Sequence, residues 1–341
     1  MEPNPLALVT GANGHLGNNI VRELRRQGIP VRAGVRNPQN TAPFAGLAVE
    51  LVPLDITDVA QLRAAMVGVD TVYAVAAAFK LWAKDPQKEI YDVNMAGTRH
   101  LVEAAAAAGV RRVVYVSSIA AVNYAHLPAT EAGGYNPDRR NVYYNSKNDS
   151  EKLALQLAQQ LKVELVSILP GTMIGSENFG LNESYRILAD IYQGKLPIDP
   201  NIYLNWIDVK DVAQAAVTAS RQGRPGERYL LAQEKGTSIR ETIGLLNRLF
   251  PDHPLKTPPR LPRSLMWGLA WLMETGSRMA GKAPLLQTSF VDMFWGLRLD
   301  YDTSKARREL NFRPRPVEQT LREAIEYLRQ HPALLGIPSN S

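Results

Sequence analysis

The sequence predicts an α/β fold: a doubly wound parallel sheet with helices on both faces, followed by a smaller C-terminal mixed α/β lobe. Three observations predict it. Strand-like and helix-like segments alternate as far as Pro170, a glycine-spaced turn separates the first of each, and beyond Pro170 the alternation loosens as proline and glycine become frequent. A first domain is expected over residues 1–170, with returning segments near 202–220 and 227–232, and a second lobe mainly over 171–341.

The elements follow in order. "LALVTG" is a short buried strand, and "GNNIVRELRRQG" is the helical pattern after the turn. "PVRAGVR" is the second strand, "LAVELVPLDI" the third, "VAQLRAAMVG" a helix and "VDTVYAVAA" a fourth strand. "VNMAGTRHLVEAAAAAG" is strongly helical and "VRRVVYVSS" returns to strand with β-branched residues throughout. "LKVELVSILPG" adds a strand after the helix that opens "VYYNSK". Such a sheet binds its ligands beyond the carboxyl ends of its strands.

Composition narrows the function. Among 341 residues, 39 are basic and 33 acidic, so the formal charge is +6, and the arginines fall in short groups without a run that would read as a nucleic-acid arm. No cysteine is present, which excludes disulfides, thiol nucleophiles and cysteine-ligated metal. The five histidines are scattered and no metal site is expected. The N-terminus lacks a basic-then-apolar signal, and a cytoplasmic location is expected.

"TGANGHLG" places Gly11, Gly14 and Gly17 between the first strand and the first helix. Glycines there allow a tight turn and let backbone N–H groups approach a pyrophosphate at the positive helix N-terminus. Asn13, His15 and Leu16 belong to the same turn, with His15 facing either solvent or the cofactor edge. At the end of the second strand Arg36 stands where NAD enzymes carry an acidic residue, and a guanidinium suits the 2′-phosphate of NADP. NADP (NADPH) is therefore expected over NAD. Asp55, followed by Ile56, reads either as an acceptor for the adenine amino group or as a helix cap.

Tyr143 and Lys147 lie four apart on a helix and share a face, which favours Tyr143 over its neighbour Tyr144 as the lysine's partner. Ser117 and Ser118 end the strand before that helix. Taken in order, "TGANGHLG", "LDITD", "VAAAF", "YVSSIAAV", "YYNSK", "ILPGTMIG", "NWIDVKDVAQA" and "YDTSKARREL" give the chain a resemblance, along nearly its whole length, to the extended short-chain dehydrogenase/reductase superfamily. Within it the chain most resembles the dihydroflavonol reductase-like branch, with its hopanoid-associated sugar epimerases and 3β-hydroxysteroid dehydrogenases. The resemblance implies a Rossmann-type fold with Ser118, Tyr143 and Lys147 as the catalytic set, Ser117 being the weaker serine candidate. It also puts Ala76, Ala77, Pro170 and Gly171 beside the cofactor.

The chemistry suits those residue types. A carbonyl that accepts hydride develops charge on oxygen, and a tyrosine can deliver the proton. Its free pKa is about 10, and a nearby ammonium would lower it. Phe79 and Trp82, with Asn123, Tyr144 and Thr172, are expected at the substrate, although aromatics at a strand end are as often core. Residues 261–300, with Trp267, Trp271 and Trp295, read either as a cap over an apolar substrate that also rests on a membrane surface, or as an ordinary packed helix; no stretch is long enough to cross a bilayer. Asp208 and Asp211 are expected to be structural caps.

The leading expectation is an NADPH-dependent reductase of a bulky, largely apolar ketone or aldehyde. The alternatives are a nucleotide-sugar epimerase with bound NAD, and an NADP-binding sensor without turnover. A small-molecule partner is expected in the first two, no nucleic acid in any, and either a monomer or a homodimer.

Overall fold

The computed structural model describes residues 5–78, 83–180, 182–280, 284 and 286–335. Its first half runs β1 (Ala7–Thr10), α1 (His15–Arg26), β2 (Val31–Val35), β3 (Glu50–Pro53), α2 (Val59–Ala65), β4 (Thr71–Ala74), α3 (Val93–Ala107), β5 (Arg112–Val116), α4 (Val142–Leu161) and β6 (Glu164–Pro170). The second half runs β7 (Thr172–Ile174), α5 (Glu183–Tyr192), β8 (Tyr203–Leu204), β9 (Trp206–Asp208), α6 (Val209–Gln222) and β10 (Arg228–Leu231). It continues through β11 (Thr237–Ser238), α7 (Ile239–Leu249), α8 (Arg263–Ala280), α9 (Thr288–Phe294), α10 (Ser304–Leu310) and α11 (Val317–Gln330).

Seven strands form one sheet in the order β10-β6-β5-β4-β1-β2-β3, and every neighbouring pair is parallel. Strand residues alternate between two cores. Val9 and Ala33 face Leu16, Ile20 and Leu24 of α1 and Val212 of α6. Leu8, Val72 and Val113 face Leu62 of α2, Leu101 of α3 and Leu157 of α4. Both sheet faces are thus covered, which is why the strands read as nearly continuous apolar runs. Each such fully buried valine, leucine or isoleucine side chain stabilises the fold by about 1.5–3 kcal/mol.

The order reverses between β1 and β4, and this opens a crevice at their carboxyl ends. Thr10 fixes its floor: its hydroxyl oxygen accepts the N–H groups of Val75 and Ala76, each at 3.0 Å. The chain returns to the sheet late, because β10 completes the edge beside β6. α5, β9, α7 and α11 pack around Tyr185, Trp206, Ile243, Leu246 and Leu321 as a separate core, while α10 joins the core under α6 and α8 packs with α9. Asp208 caps α6 by accepting the Lys210 N–H at 2.7 Å. Asp211 does not act as a cap; its carboxylate pairs with Arg315 at 2.8 Å.

Candidate functional site

A cleft of about 810 Å³ lies over the β1/β4 reversal. Gly11, Asn13, Gly14, His15, Leu16 and Gly17 line one end. Gly11 has φ +61°, the left-handed region that favours glycine, and a Cβ there would meet Ala76 at 3.2 Å. A Cβ on Gly17 would lie 2.3 Å from the Gly11 carbonyl oxygen, so the turn closes onto the helix only without one. Gly14 begins α1 with no capping side chain, and no acidic residue occupies the first turn. The first N–H groups of the helix and its positive end are left for an anion.

His15 does not face solvent. It is buried, its Nε2 lies 3.1 Å from the Ser176 carbonyl oxygen, and its Nδ1 lies 3.4 Å from the Asn182 amide nitrogen. Burial lowers its pKa to about 4, so the ring is neutral. It therefore clasps the glycine turn to the loop that precedes α5.

Arg36, Asp55, Ile56, Ala76 and Ala77 continue the lining. The Asp55 carboxylate accepts the Thr57 N–H at 2.9 Å and the Thr57 hydroxyl at 2.7 Å, which hold it below the usual carboxylate range. It does not cap α2; Asp58 does. The neighbouring Arg36 is exposed at the end of β2, and among the described residues it makes no hydrogen bond or ion pair. Most other exposed arginines, such as Arg139 with Asp149, have a carboxylate partner.

Ser117, Ser118, Tyr143, Tyr144 and Lys147 meet at the centre. Asn141 caps α4 by accepting the N–H groups of Tyr143 at 3.0 Å and Tyr144 at 3.3 Å, which fixes both tyrosines in the first turn. Asn94 on α3 accepts the Ala78 N–H at 2.7 Å and donates to the Ser146 hydroxyl, itself bonded to the Tyr143 carbonyl. The two serines divide. The Ser117 hydroxyl donates to Glu151 at 2.8 Å, whereas Ser118 is hydrogen-bonded to the Tyr143 hydroxyl.

Burial pushes Tyr143 up to about 12, opposed by the Ser118 hydrogen bond. The direction is opposite to that expected from a neighbouring ammonium. Lys147 instead donates to the Val116 carbonyl at 3.0 Å, and burial pulls its own pKa down to about 8 against the pull of Glu151. Desolvation of the closed strand end outweighs pairwise charge here. Tyr144 is half-buried, and its ring packs 5.3 Å from Phe294 and 6.3 Å from Phe290.

Glu151, one turn beyond Lys147, anchors a buried network that the sequence reading passed over. It accepts from Ser117, from Ser167 at 2.6 Å, and from Arg228 at 2.9 and 3.0 Å. Arg228 also donates to the Ala121 and Gly134 carbonyls, so α4, β5, β6 and β10 are tied together behind the tyrosine. The signal was present in "YYNSKNDSE", where Tyr143, Lys147 and Glu151 repeat every four residues.

Pro170, Gly171 and Thr172 line the far end. Asn205, also unanticipated, shapes it: its carbonyl oxygen accepts the Thr172 N–H at 2.7 Å, and a Cβ on Gly171 would lie 2.7 Å from that oxygen. The lining there includes Met173, Ile187, Leu204 and Phe290, from four separate elements. Asn123 does not line the cleft; its amide donates to the Gly133 carbonyl and accepts from the Ala125 N–H, holding its own loop. Phe79 and Trp82 lie outside the described residues. Of the 261–300 segment, Phe290 reaches the cleft, while Trp267 and Trp271 are exposed and Trp295 packs beside Met266.

The glycine cradle, the uncapped helix end and the close contact at Gly171 fit a nicotinamide dinucleotide. Comparison with known proteins agrees. The model of the NAD dependent epimerase/dehydratase family matches residues 7–232. A protein of Synechocystis sp. with a provisional dihydroflavonol 4-reductase name is 32% identical over 331 residues, covering 95% of this chain and 94% of that protein. Sterol demethylase protein B of Methylococcus capsulatus is 33% identical over 330 residues, covering 95% of this chain and 98% of that protein. The yeast methylglyoxal/isovaleraldehyde reductase Gre2 complexed with NADPH has a TM-score of 0.75 at 21% identity, covering 96% of this chain and 99% of that one, a likeness of fold. The chain belongs to the NAD dependent epimerase/dehydratase family and is an extended short-chain dehydrogenase/reductase.

Proposed function

We propose that the protein is an NADPH-dependent reductase of a ketone or aldehyde on a bulky, largely apolar substrate, running reversibly as an alcohol dehydrogenase. One observation carries the reading. Among the described residues lining the cleft, the cationic side chains are Arg36 and Lys147. Arg36 lies at the adenosine end, where it suits a 2′-phosphate, and Lys147 sits behind the tyrosine. A nucleotide sugar brings a second diphosphate, and the substrate end offers it Ile187, Leu204, Phe290 and the carboxylate of Glu183. Burying that much phosphate charge with no cation among the described residues there is costly. The names of the two relatives, a dihydroflavonol reductase and a sterol demethylase component, point the same way.

When bound, the dinucleotide supplies the hydride. Tyr143, protonated throughout the neutral range, donates its proton to the oxygen that gains charge, and Ser118 holds that oxygen and the phenol together. Lys147, charged below about pH 8, stabilises the phenolate left behind. For alcohol oxidation Tyr143 must first lose its proton, so the high value favours reduction at neutral pH.

The test is NADPH consumption against a panel of ketones and aldehydes graded by apolar bulk. The expected result is turnover that rises with apolar size and is faster with NADPH than with NADH. No consumption across the panel, together with interconversion of a nucleotide sugar, would replace this reading with the epimerase.

A further inference from the structure

Helix α8 packs by a narrow stripe and exposes the rest. Met266 and Ala270, one turn apart, are buried against Val291 of α9. The opposite arc carries Leu265, Trp267, Trp271 and Leu272, which are 60%, 42%, 51% and 60% exposed. Leu265 and Leu272 are seven residues apart and share a line along the helix; Trp267 and Trp271 form a second line beside it. Between the lines lie Ser264, Gly268 and Thr275, all small. Four large apolar side chains on one exposed helical face are far from the single scattered residues that an ordinary surface carries.

The surrounding charge says what covers this face. In sequence, residues 254–292 contain Lys256, Arg260, Arg263, Arg278 and Lys282 against Glu274 and Asp292, so 5 − 2 = +3, half of the chain's formal +6 in a short stretch; of these, Arg263 pairs with Asp292, and Arg260 shares the buried Asp199 with Arg240. Glu274 is held by Thr288 and Asp292 by Arg263 and the Trp267 indole, which leaves no acidic side chain on the apolar arc. An apolar face with tryptophans along its edge, carried by a stretch of net positive charge in the sequence, complements an anionic bilayer surface. No described helix is long and apolar enough to cross a membrane, so the contact lies in the interface plane.

We propose that α8 docks on an anionic lipid surface, burying Leu265, Trp267, Trp271 and Leu272 among the headgroups. Because α9 lies beside α8 and presents Phe290 to the cleft, docking brings the substrate end near the lipid. The proposal concerns a surface and stands whether or not the reductase reading holds.

The experiment is flotation of the full chain with vesicles of phosphatidylcholine containing phosphatidylglycerol, and with vesicles of phosphatidylcholine alone, at low and high salt. The expected result is binding to the anionic vesicles that weakens with salt, with a blue shift of tryptophan emission. Leu265→Gln combined with Leu272→Gln should weaken binding at least about tenfold while the circular dichroism and melting temperature stay unchanged. Three results would overturn the proposal: no binding to anionic vesicles at low salt, equal binding by the double variant, or a solution dimer that the double variant dissociates, which would show that a second copy covers the face.

Discussion

The two ends of the cleft are built from different materials. The dinucleotide end is main chain: Gly11, Gly14 and Gly17 lie within one turn, and space there is set by the absence of Cβ atoms. The substrate end is side chain: Tyr144, Thr172, Ile187 and Phe290 come from α4, β7, α5 and α9. A shared cofactor needs a fixed cradle, and a backbone turn supplies one with little freedom to vary. On the proposed function, substrate preference would reside in side chains on separate elements, and these can change one at a time without disturbing the cradle.

That difference can be broken at the junction of the two ends. Tyr143→Phe should lower turnover by about 10²–10⁴-fold while NADPH still binds, because proton delivery is lost and the cradle is not. Tyr144→Phe, on the packed neighbour, should leave the rate constant within severalfold; the reverse outcome in steady-state kinetics would reassign the acid. Arg228→Met leaves Glu151 buried without its partner and should destabilise the fold by about 3–5 kcal/mol, read by denaturant unfolding.

At the dinucleotide end, Gly17→Ala should remove nucleotide binding and cost about 1–3 kcal/mol of stability, since its Cβ has nowhere to go. Arg36→Ala should spare the fold and cut the preference for NADPH over NADH by about tenfold or more, the worth of a charged hydrogen bond. At the substrate end, Phe290→Ala should change KM for the bulkiest substrates only severalfold, with nucleotide affinity unchanged in a titration.

For the proposed reaction, pH should separate the two directions. Lys147 loses its proton above about pH 8, so reduction should decline above that value. Oxidation needs the Tyr143 phenolate, whose protonated form persists to about pH 12 in the folded chain, so its rate should climb with pH. A reduction rate that rises through pH 8 would contradict the assigned role of Lys147.

Legibility in the sequence follows the same division. The sheet, the glycine turn, Arg36 and the Tyr143/Lys147 pair are encoded by spacing within a single element, and a period of two or of four is visible in one line of residues. Contacts made across elements are not. The separation of Ser117 from Ser118 depends on Glu151, whose partner Arg228 lies far along the chain. The glycine turn leaves His15 facing either solvent or the cofactor edge by sequence alone, and its burial comes from Ser176 and Asn182 folding back over it. Asn123 carried no local signal that its amide would be used within its own loop. The direction of the Tyr143 shift depended on burial, which no spacing of charges reveals.

The proposed reaction is net hydride transfer from NADPH to an external carbonyl at the Ser118, Tyr143 and Lys147 site. Its most direct test is isotopic: NADPH deuterated at the nicotinamide C4 is incubated with the nucleotide-stripped protein and the panel of bulky apolar ketones and aldehydes. Deuterium should appear on the carbinol carbon of the alcohol formed, and Tyr143→Phe should abolish it while NADPH binding persists. NAD retained by the protein through purification, with no deuterium in any alcohol, would contradict the account.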